Sequence, residues 1–101
     1  METRYFIGKS NIHGVGIIAK QFLQPYDEIG VGILESNGYH QITKNFGELI
    51  NHSYKPTAYL KYGLNGWWVC ASANGILAGQ EITLDYRCSP MYLKRPDAWF
   101  I

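Results

Sequence analysis

Apolar positions in this chain fall in short runs that alternate with polar ones, and glycine, proline or asparagine interrupts them every few residues. No stretch sustains the 3.6-residue spacing of a long amphipathic helix. The runs Tyr5 to Gly8, Gly16 to Ala19, Ile29 to Leu34 and Glu81 to Tyr86 predict strands, and Ala58 to Leu64 with Trp67 to Ser72 predicts a hairpin. Asn-Gly occurs at Asn37-Gly38, Asn65-Gly66 and Asn74-Gly75, a dipeptide suited to the two positive φ angles of a type I′ turn. Helix is predicted only over Lys44 to Ile50 and as a short turn after Pro90. The pattern therefore predicts a mostly β fold of several small sheets with little helix. The segment from Phe22 to Ile29 is faintly echoed from Ile76 to Ile82, each with an apolar pair, a turn and an acidic residue before a new run. Similar turns arise without duplication, so the echo alone defines no repeat.

The chain's 101 residues suit one domain with a single core, so an active site has to lie within that unit. Hydrophobic residues at 47% and charged residues at 17% are the balance of a globular protein. A formal charge of +1 argues against a broad phosphate-binding face, so nucleic acid is not the expected direct partner. After Met1-Glu2-Thr3-Arg4 the apolar run is only Tyr5-Phe6-Ile7, too short for a signal sequence, and no run reaches membrane-spanning length. A soluble intracellular protein is expected. Cys70 and Cys88, without a secretory segment, read as free thiols, with Cys70 in the core. His13, His40, His52, Cys70 and Cys88 have no paired metal-ligand spacing, and no metal is expected.

Three segments carry candidate chemistry: Ile12-His13-Gly14-Val15-Gly16-Ile17, Asn51-His52-Ser53-Tyr54-Lys55-Pro56, and Gly79-Gln80-Glu81-Ile82-Thr83-Leu84-Asp85-Tyr86. Gly14 to Ala19 satisfies a dinucleotide-binding glycine pattern, but Ile17-Ile18 favour a strand where that motif needs a helix. Taken singly, Gly14 and Gly16 read as a strand-entry turn, Asn51-His52 as turn residues bonding local backbone, and Tyr86 as a core aromatic.

Together and in this order, the three segments resemble the sequence blocks of SET-domain protein-lysine methyltransferases, over most of the chain. The resemblance implies a β-clip-like fold of small sheets with a C-terminal pseudoknot, in residues 1–101 as a single domain. It implies S-adenosylmethionine as cofactor and a protein or peptide lysine as substrate, a histone being one candidate, with nuclear location in that case and cytoplasmic otherwise. Gly14, Val15 and Gly16 would then admit the amino-acid end of the cofactor, and Asn51 and His52 its methionine and adenine parts. Tyr86 would be the catalytic tyrosine beside the methyl-transfer channel and the cofactor, held next to Asn51 by the knot. Tyr59 and Tyr62 are candidates for the channel wall, and Tyr92, in an aromatic tail at 90–101, for packing near the adenine.

The chain departs from the family in two places. Thr57 stands where an asparagine usually braces the loop, and the insert at 36–45 is shortened where a helical segment usually walls the peptide groove. A symmetric homodimer, with Trp67, Trp68, Trp99 and Phe100 as surplus aromatics, is one way to supply that wall. The expected activity is lysine methylation; the alternative is a catalytically silent SET-like module that binds a peptide or protein partner.

Overall fold

The computed structural model describes residues 3–88. The turn predicted after Pro90, together with Tyr92, Trp99 and Phe100, lies outside the described residues. The strands are β1 (Tyr5–Lys9), β2 (Val15–Ala19), β3 (Glu28–Ser36), β4 (Tyr39–Ile42), β5 (Asn51–His52), β6 (Ala58–Gly63), β7 (Gly66–Ala71) and β8 (Glu81–Leu84). They form two four-stranded sheets, ordered β1-β2-β8-β5 and β4-β3-β7-β6. Among the described residues, no helix is long and apolar enough to cross a membrane.

All of the predicted strands are present, with shifted ends, while β4 and β5 come from stretches whose short polar sequences gave no strand signal. Tyr86 lies beyond β8, at the start of a single 3₁₀ turn, Tyr86–Cys88. The predicted helix over Lys44 to Ile50 is reduced to one 3₁₀ turn, Gly47–Leu49. Asn45 explains this, because its φ of +59° is incompatible with a helix running through it. Gly47 is also pressed so closely on β3 that a Cβ there would lie 2.1 Å from the Gly32 carbonyl oxygen.

Only one of the three Asn-Gly pairs forms the predicted turn. Asn37 and Gly38 have φ of +51° and +82° and connect Ser36 to Tyr39 at the β3–β4 hairpin. In the β6–β7 hairpin the two turn residues are Leu64 and Asn65, and Gly66 already pairs with Gly63 as the first residue of β7. Asn74-Gly75 closes a turn in which Gly75 N–H donates to the Ser72 carbonyl at 2.9 Å.

The echo in the sequence corresponds to a structural equivalence. β1 pairs with β2 from Tyr5↔Ala19 to Lys9↔Val15, and β6 pairs with β7 in the same sense from Ala58↔Ala71 to Tyr62↔Trp67. Each hairpin is followed by a bridge residue, a tight turn and a third strand, and the third strands are exchanged: β3 pairs with β7, and β8 with β2. The bridge residues meet each other, Leu23 and Ile76 exchanging both backbone hydrogen bonds at 2.8 Å. The turns match bond for bond. Asp27 N–H reaches the Gln24 carbonyl at 3.1 Å, and Gln80 N–H the Leu77 carbonyl at 3.0 Å. Tyr26 and Gly79 take the equivalent left-handed position, with φ of +67° and +89°.

The core lies between the sheets and around that bridge. Ile17, Ala19, Leu23, Ile33, Ile50, Val69, Ala71, Ile76 and Ile82 are fully buried, and Phe46, Ala58, Leu84 and Tyr86 nearly so. Burying an aliphatic side chain of this size contributes about 1.5–3 kcal/mol relative to exposure. Cys70 is a buried free thiol, as the sequence predicts. Trp67 packs on the core and against Tyr62, and Trp68 donates its indole N–H to the Leu64 carbonyl, so neither is a surplus aromatic.

Candidate functional site

The three sequence segments converge on the first sheet. β5 runs parallel to β8 with Asn51↔Thr83 and Leu84 opposite His52, and β8 pairs on its other side with β2, just after the glycine turn. The long-range pairing of β5 with β8 is what brings the Asn-His pair beside the residues leading to Tyr86.

The turn before β2 is organised by Ser10, which the sequence reading did not single out. Its hydroxyl oxygen accepts the Ile12 and His13 N–H groups at 2.8 and 3.1 Å, and Ser10 N–H donates to the Gly14 carbonyl at 2.9 Å. The hydroxyl in turn donates to the Glu81 carboxylate, 2.8 Å from Oε1 and 3.0 Å from Oε2. Buried Asn51 joins the cluster. Its Nδ2 lies 2.8 Å from Glu81 Oε2, 3.1 Å from Ser10 Oγ, 3.1 Å from the Val15 carbonyl and 3.3 Å from the His13 carbonyl. One amide has two N–H donors, so these four contacts are shared, and together they tie Asn51 to the glycine turn and to Glu81.

The two glycines serve different needs here. Gly16 makes room for the cluster, since a Cβ there would lie 2.5 Å from Glu81 Oε2 and 3.1 Å from Asn51 Nδ2. Gly14 adopts φ of +53°, and a Cβ there would meet nothing within 4 Å, so the backbone beside it is open to an approaching group. Val15, between them, is exposed.

The loop after His52 is braced by Thr57. Its hydroxyl donates to the Glu81 carbonyl at 2.8 Å and accepts the Thr83 N–H at 3.0 Å, while Thr57 N–H donates to Thr83 Oγ1 at 3.0 Å. A threonine therefore supplies the bracing that the sequence comparison associated with asparagine.

His52 is fully buried, and its Nδ1 accepts the Tyr86 N–H at 3.0 Å. Its ring packs edge-on to Tyr54 at 4.4 Å and against Tyr86 at 5.0 Å. Outside Tyr54 lies the Arg87 guanidinium, 4.2 Å from the ring centre. Burial lowers the imidazole pKa and the Asp85 carboxylate, 3.9 Å away, opposes that shift only in part. Asp85 itself is held at about 2, chiefly by hydrogen bonds from Arg87.

Tyr86 is almost completely buried, and its hydroxyl donates to the Ile50 carbonyl, directly before Asn51. Burial, and then the field of Glu81, push the phenol well above its ordinary pKa, so it stays protonated and acts as a donor.

Thus Gly14, Val15, Gly16, Asn51, His52 and Tyr86 form one connected region. Tyr59 and Tyr62 are grouped instead with the second sheet: Tyr59 faces Tyr26 at 6.5 Å, while Tyr62 packs on Trp67 and its hydroxyl bonds Glu35 Oε1 at 2.6 Å. The hairpin register makes Tyr62 the partner of Trp67 on that sheet. Tyr92 lies outside the described residues. Of the residues the sequence reading missed, Ser10 left a signal in its position two residues before Ile12, where serine hydroxyls commonly capture turn N–H groups.

No family model and no curated protein matches the chain. Solved structures do match, 144 chains in all. One is a crystal structure from Plasmodium falciparum named "putative histone methyltransferase PFL0690c", with a TM-score of 0.68 and 22% identity over 90% of this chain and 99% of that one. At that identity the likeness establishes fold. The mostly β architecture of several small sheets, with β5 alongside β8, is a SET-like fold.

Proposed function

We propose that the chain is a single-domain protein-lysine N-methyltransferase that uses S-adenosylmethionine, with basic protein tails such as those of histones as its substrate class. The observation that carries this reading is the meeting of the Gly14–Gly16 turn, Asn51-His52 and Tyr86 around β8. The solved neighbour bearing a methyltransferase name supports it at the level of fold.

When bound, the cofactor supplies an electrophilic methyl group on a positively charged sulfur. The chain's own residues bind and align. The open backbone at Gly14 would admit the cofactor's amino-acid end, with Val15, Gly16 and Asn51 lining the approach and His52 tying β5 to the backbone of Tyr86 beside it. Tyr86 would orient the incoming lysine amine by accepting one of its N–H groups at the hydroxyl oxygen, whose own proton goes to the Ile50 carbonyl. The amine must arrive neutral to attack, and desolvation next to a positive charge lowers its pKa from about 10.4 without a dedicated base. Most of the acceleration then comes from alignment.

A second reading, a silent module that binds a peptide or protein, is favoured by the segment at 36–45. It folds as the turn and second strand of the β3–β4 hairpin, where the resemblance implies a longer helical wall. Self-association would complete a groove in the active form, and sedimentation at tens of micromolar would detect it. Cofactor binding separates the two readings. A ligand that binds only the native state adds RT ln(1 + [L]/Kd) to stability, about 2.7 kcal/mol at a hundredfold excess over Kd. A melting shift with S-adenosylmethionine, together with methyl transfer to histones or a lysate, supports the enzyme; no shift at millimolar cofactor leaves the binding module.

A further inference from the structure

We propose that Glu81 is a positioning residue: through Ser10 and Asn51 it sets the Gly14–Gly16 turn in the shape that receives the cofactor. The inference rests on the methyltransferase reading above and assigns a role to a carboxylate that the proposed chemistry leaves unused.

The internal equivalence of the fold provides a built-in comparison. Glu81 stands opposite Ile18, and in the other half Glu28 stands opposite Cys70; Ile18 and Cys70 in turn face Phe6 and Tyr59. Glu28 and Glu81 therefore occupy matching positions. The Glu28 side chain is exposed, and its ion pair among the described residues is a 3.6 Å contact with Lys61, an arrangement worth little in water. Glu81 is turned inward, against buried Ser10 and Asn51.

The neighbours of the two glutamates differ accordingly. Two residues before Ile18 and Cys70 stand Gly16 and Trp68, and across from these stand Gly8 and Lys61. One half carries large side chains at these positions; in the other, Gly16 leaves the space that the Glu81 carboxylate occupies, while Gly8 is covered by Phe6 and Ile18. Glu28 pairs in its sheet with no such opening beside it, so the space at Gly16 serves the Glu81 carboxylate and not the strand pairing. The carboxylate is also matched to its partners: its two oxygens accept from the Ser10 hydroxyl and the Asn51 amide, and the Ser10 oxygen thus remains directed at the Ile12 and His13 N–H groups.

The test is Glu81→Gln, which keeps the size of the side chain but replaces one acceptor oxygen with an NH₂ facing the Asn51 amide. Two quantities are measured: hydrogen exchange at the Ile12 and His13 amides without cofactor, and the Kd for S-adenosylmethionine by calorimetry. Exchange should accelerate and Kd should rise, each by at least about tenfold, while Glu28→Gln changes either by less than about twofold. Unchanged exchange overturns the proposal, because Glu81 would not hold the turn. Faster exchange with unchanged Kd also overturns it, leaving Glu81 a structural role alone. If the unmodified protein binds no cofactor while Glu81→Gln still accelerates exchange, the methyltransferase reading fails, and the assigned cofactor role with it. Should Glu81→Gln not fold, Glu81→Asp, which keeps the charge but draws the carboxylate back from Ser10 and Asn51, is read by the same two measurements and the same criteria.

Discussion

The Nδ1 atom of His52 accepts the backbone N–H of Tyr86 across the β5–β8 junction, at 3.0 Å. The bond fixes the imidazole as the neutral tautomer with its proton on Nε2, since a protonated Nδ1 cannot accept. It also ties the Asn-His strand to the backbone of the proposed catalytic tyrosine, so the protonation state of one residue bears on the placement of the other.

Stability should therefore decline on mild acidification. Burial depresses the His52 pKa in the folded chain, whereas an unfolded histidine titrates near 6.5. Below about pH 6.5 the unfolded chain takes up a proton that the folded chain refuses, so the contribution of neutral His52 is present above that pH and is lost as pH falls through the folded value. Melting temperatures between about pH 8 and 5 should fall on the acid side, and His52→Gln should flatten that limb while lowering the whole curve. Equal slopes in the two proteins would exclude His52 as the source. Asp85 acts lower on the scale: its stabilisation is complete above its ordinary carboxylate range and is lost as pH falls through about 2.

Tyr86→Phe should lower both stability and turnover. The lost hydroxyl leaves the buried Ile50 carbonyl without that donor, at a cost of about 1–2 kcal/mol, or several degrees in melting temperature for a chain of this size. From the sequence alone only a small thermal effect is expected, because the bond to Ile50 is not visible there. Methyl transfer should fall at least tenfold, about 1.4 kcal/mol in barrier. Unchanged turnover by a folded variant would remove Tyr86 from the reaction.

Alanine at the two site glycines should give distinguishable defects. At Gly14 a methyl group meets no protein atom, so the cost is that of a left-handed non-glycine residue, about 1 kcal/mol. At Gly16 it would strike the Glu81 carboxylate and disturb the Ser10 cluster, and the loss of cofactor affinity should accompany a larger drop in stability. Calorimetry and thermal melts on both variants separate the effects; equal losses would argue against the different roles assigned to the two positions.

Thr57→Val keeps the shape of the side chain but removes the oxygen that serves both the Glu81 carbonyl and the Thr83 N–H. A loss of about 1–3 kcal/mol is expected in denaturant unfolding. A neutral result would show that the loop after His52 is held by its other contacts.

Turnover at saturating cofactor and peptide should rise through neutrality into the mildly alkaline range along a single-group limb, since the proposed nucleophile loses its proton to solvent-driven equilibrium and no base is assigned. A plateau near pH 7 that disappears in His13→Ala or His40→Ala would overturn the base-free mechanism.

Much of this arrangement is readable along the chain. The alternating runs locate six of the strands, and the three polar segments that join around β8 are those singled out by their chemistry. What is hidden depends on distant partners. Nothing local marks Asn45 as left-handed, and its φ removes the helix that the apolar spacing of 44–50 implies. β5 is two residues long and exists only because β8 lies beside it. The Ser10–Glu81–Asn51 cluster joins residues up to 71 positions apart, so its members read singly as a turn serine, a surface acid and a turn asparagine. The surroundings of Tyr62 are hidden for a related reason: proximity to the Asn-His segment in sequence does not reveal which partner its strand register selects.

The exchange of third strands between the two halves also constrains how the chain can reach its native state. Neither β1-β2-β3 nor β6-β7-β8 can close a sheet from its own residues, because each needs a strand contributed by the other. Separated at the loop between them, the halves would have no independent folded form and would gain structure only by recombining. High contact order, with long loops closed before the pairing energy is recovered, makes such a chain slow to fold for its length. On the ribosome, the glycine turn can settle into its final shape only after the last of these strands has been synthesised.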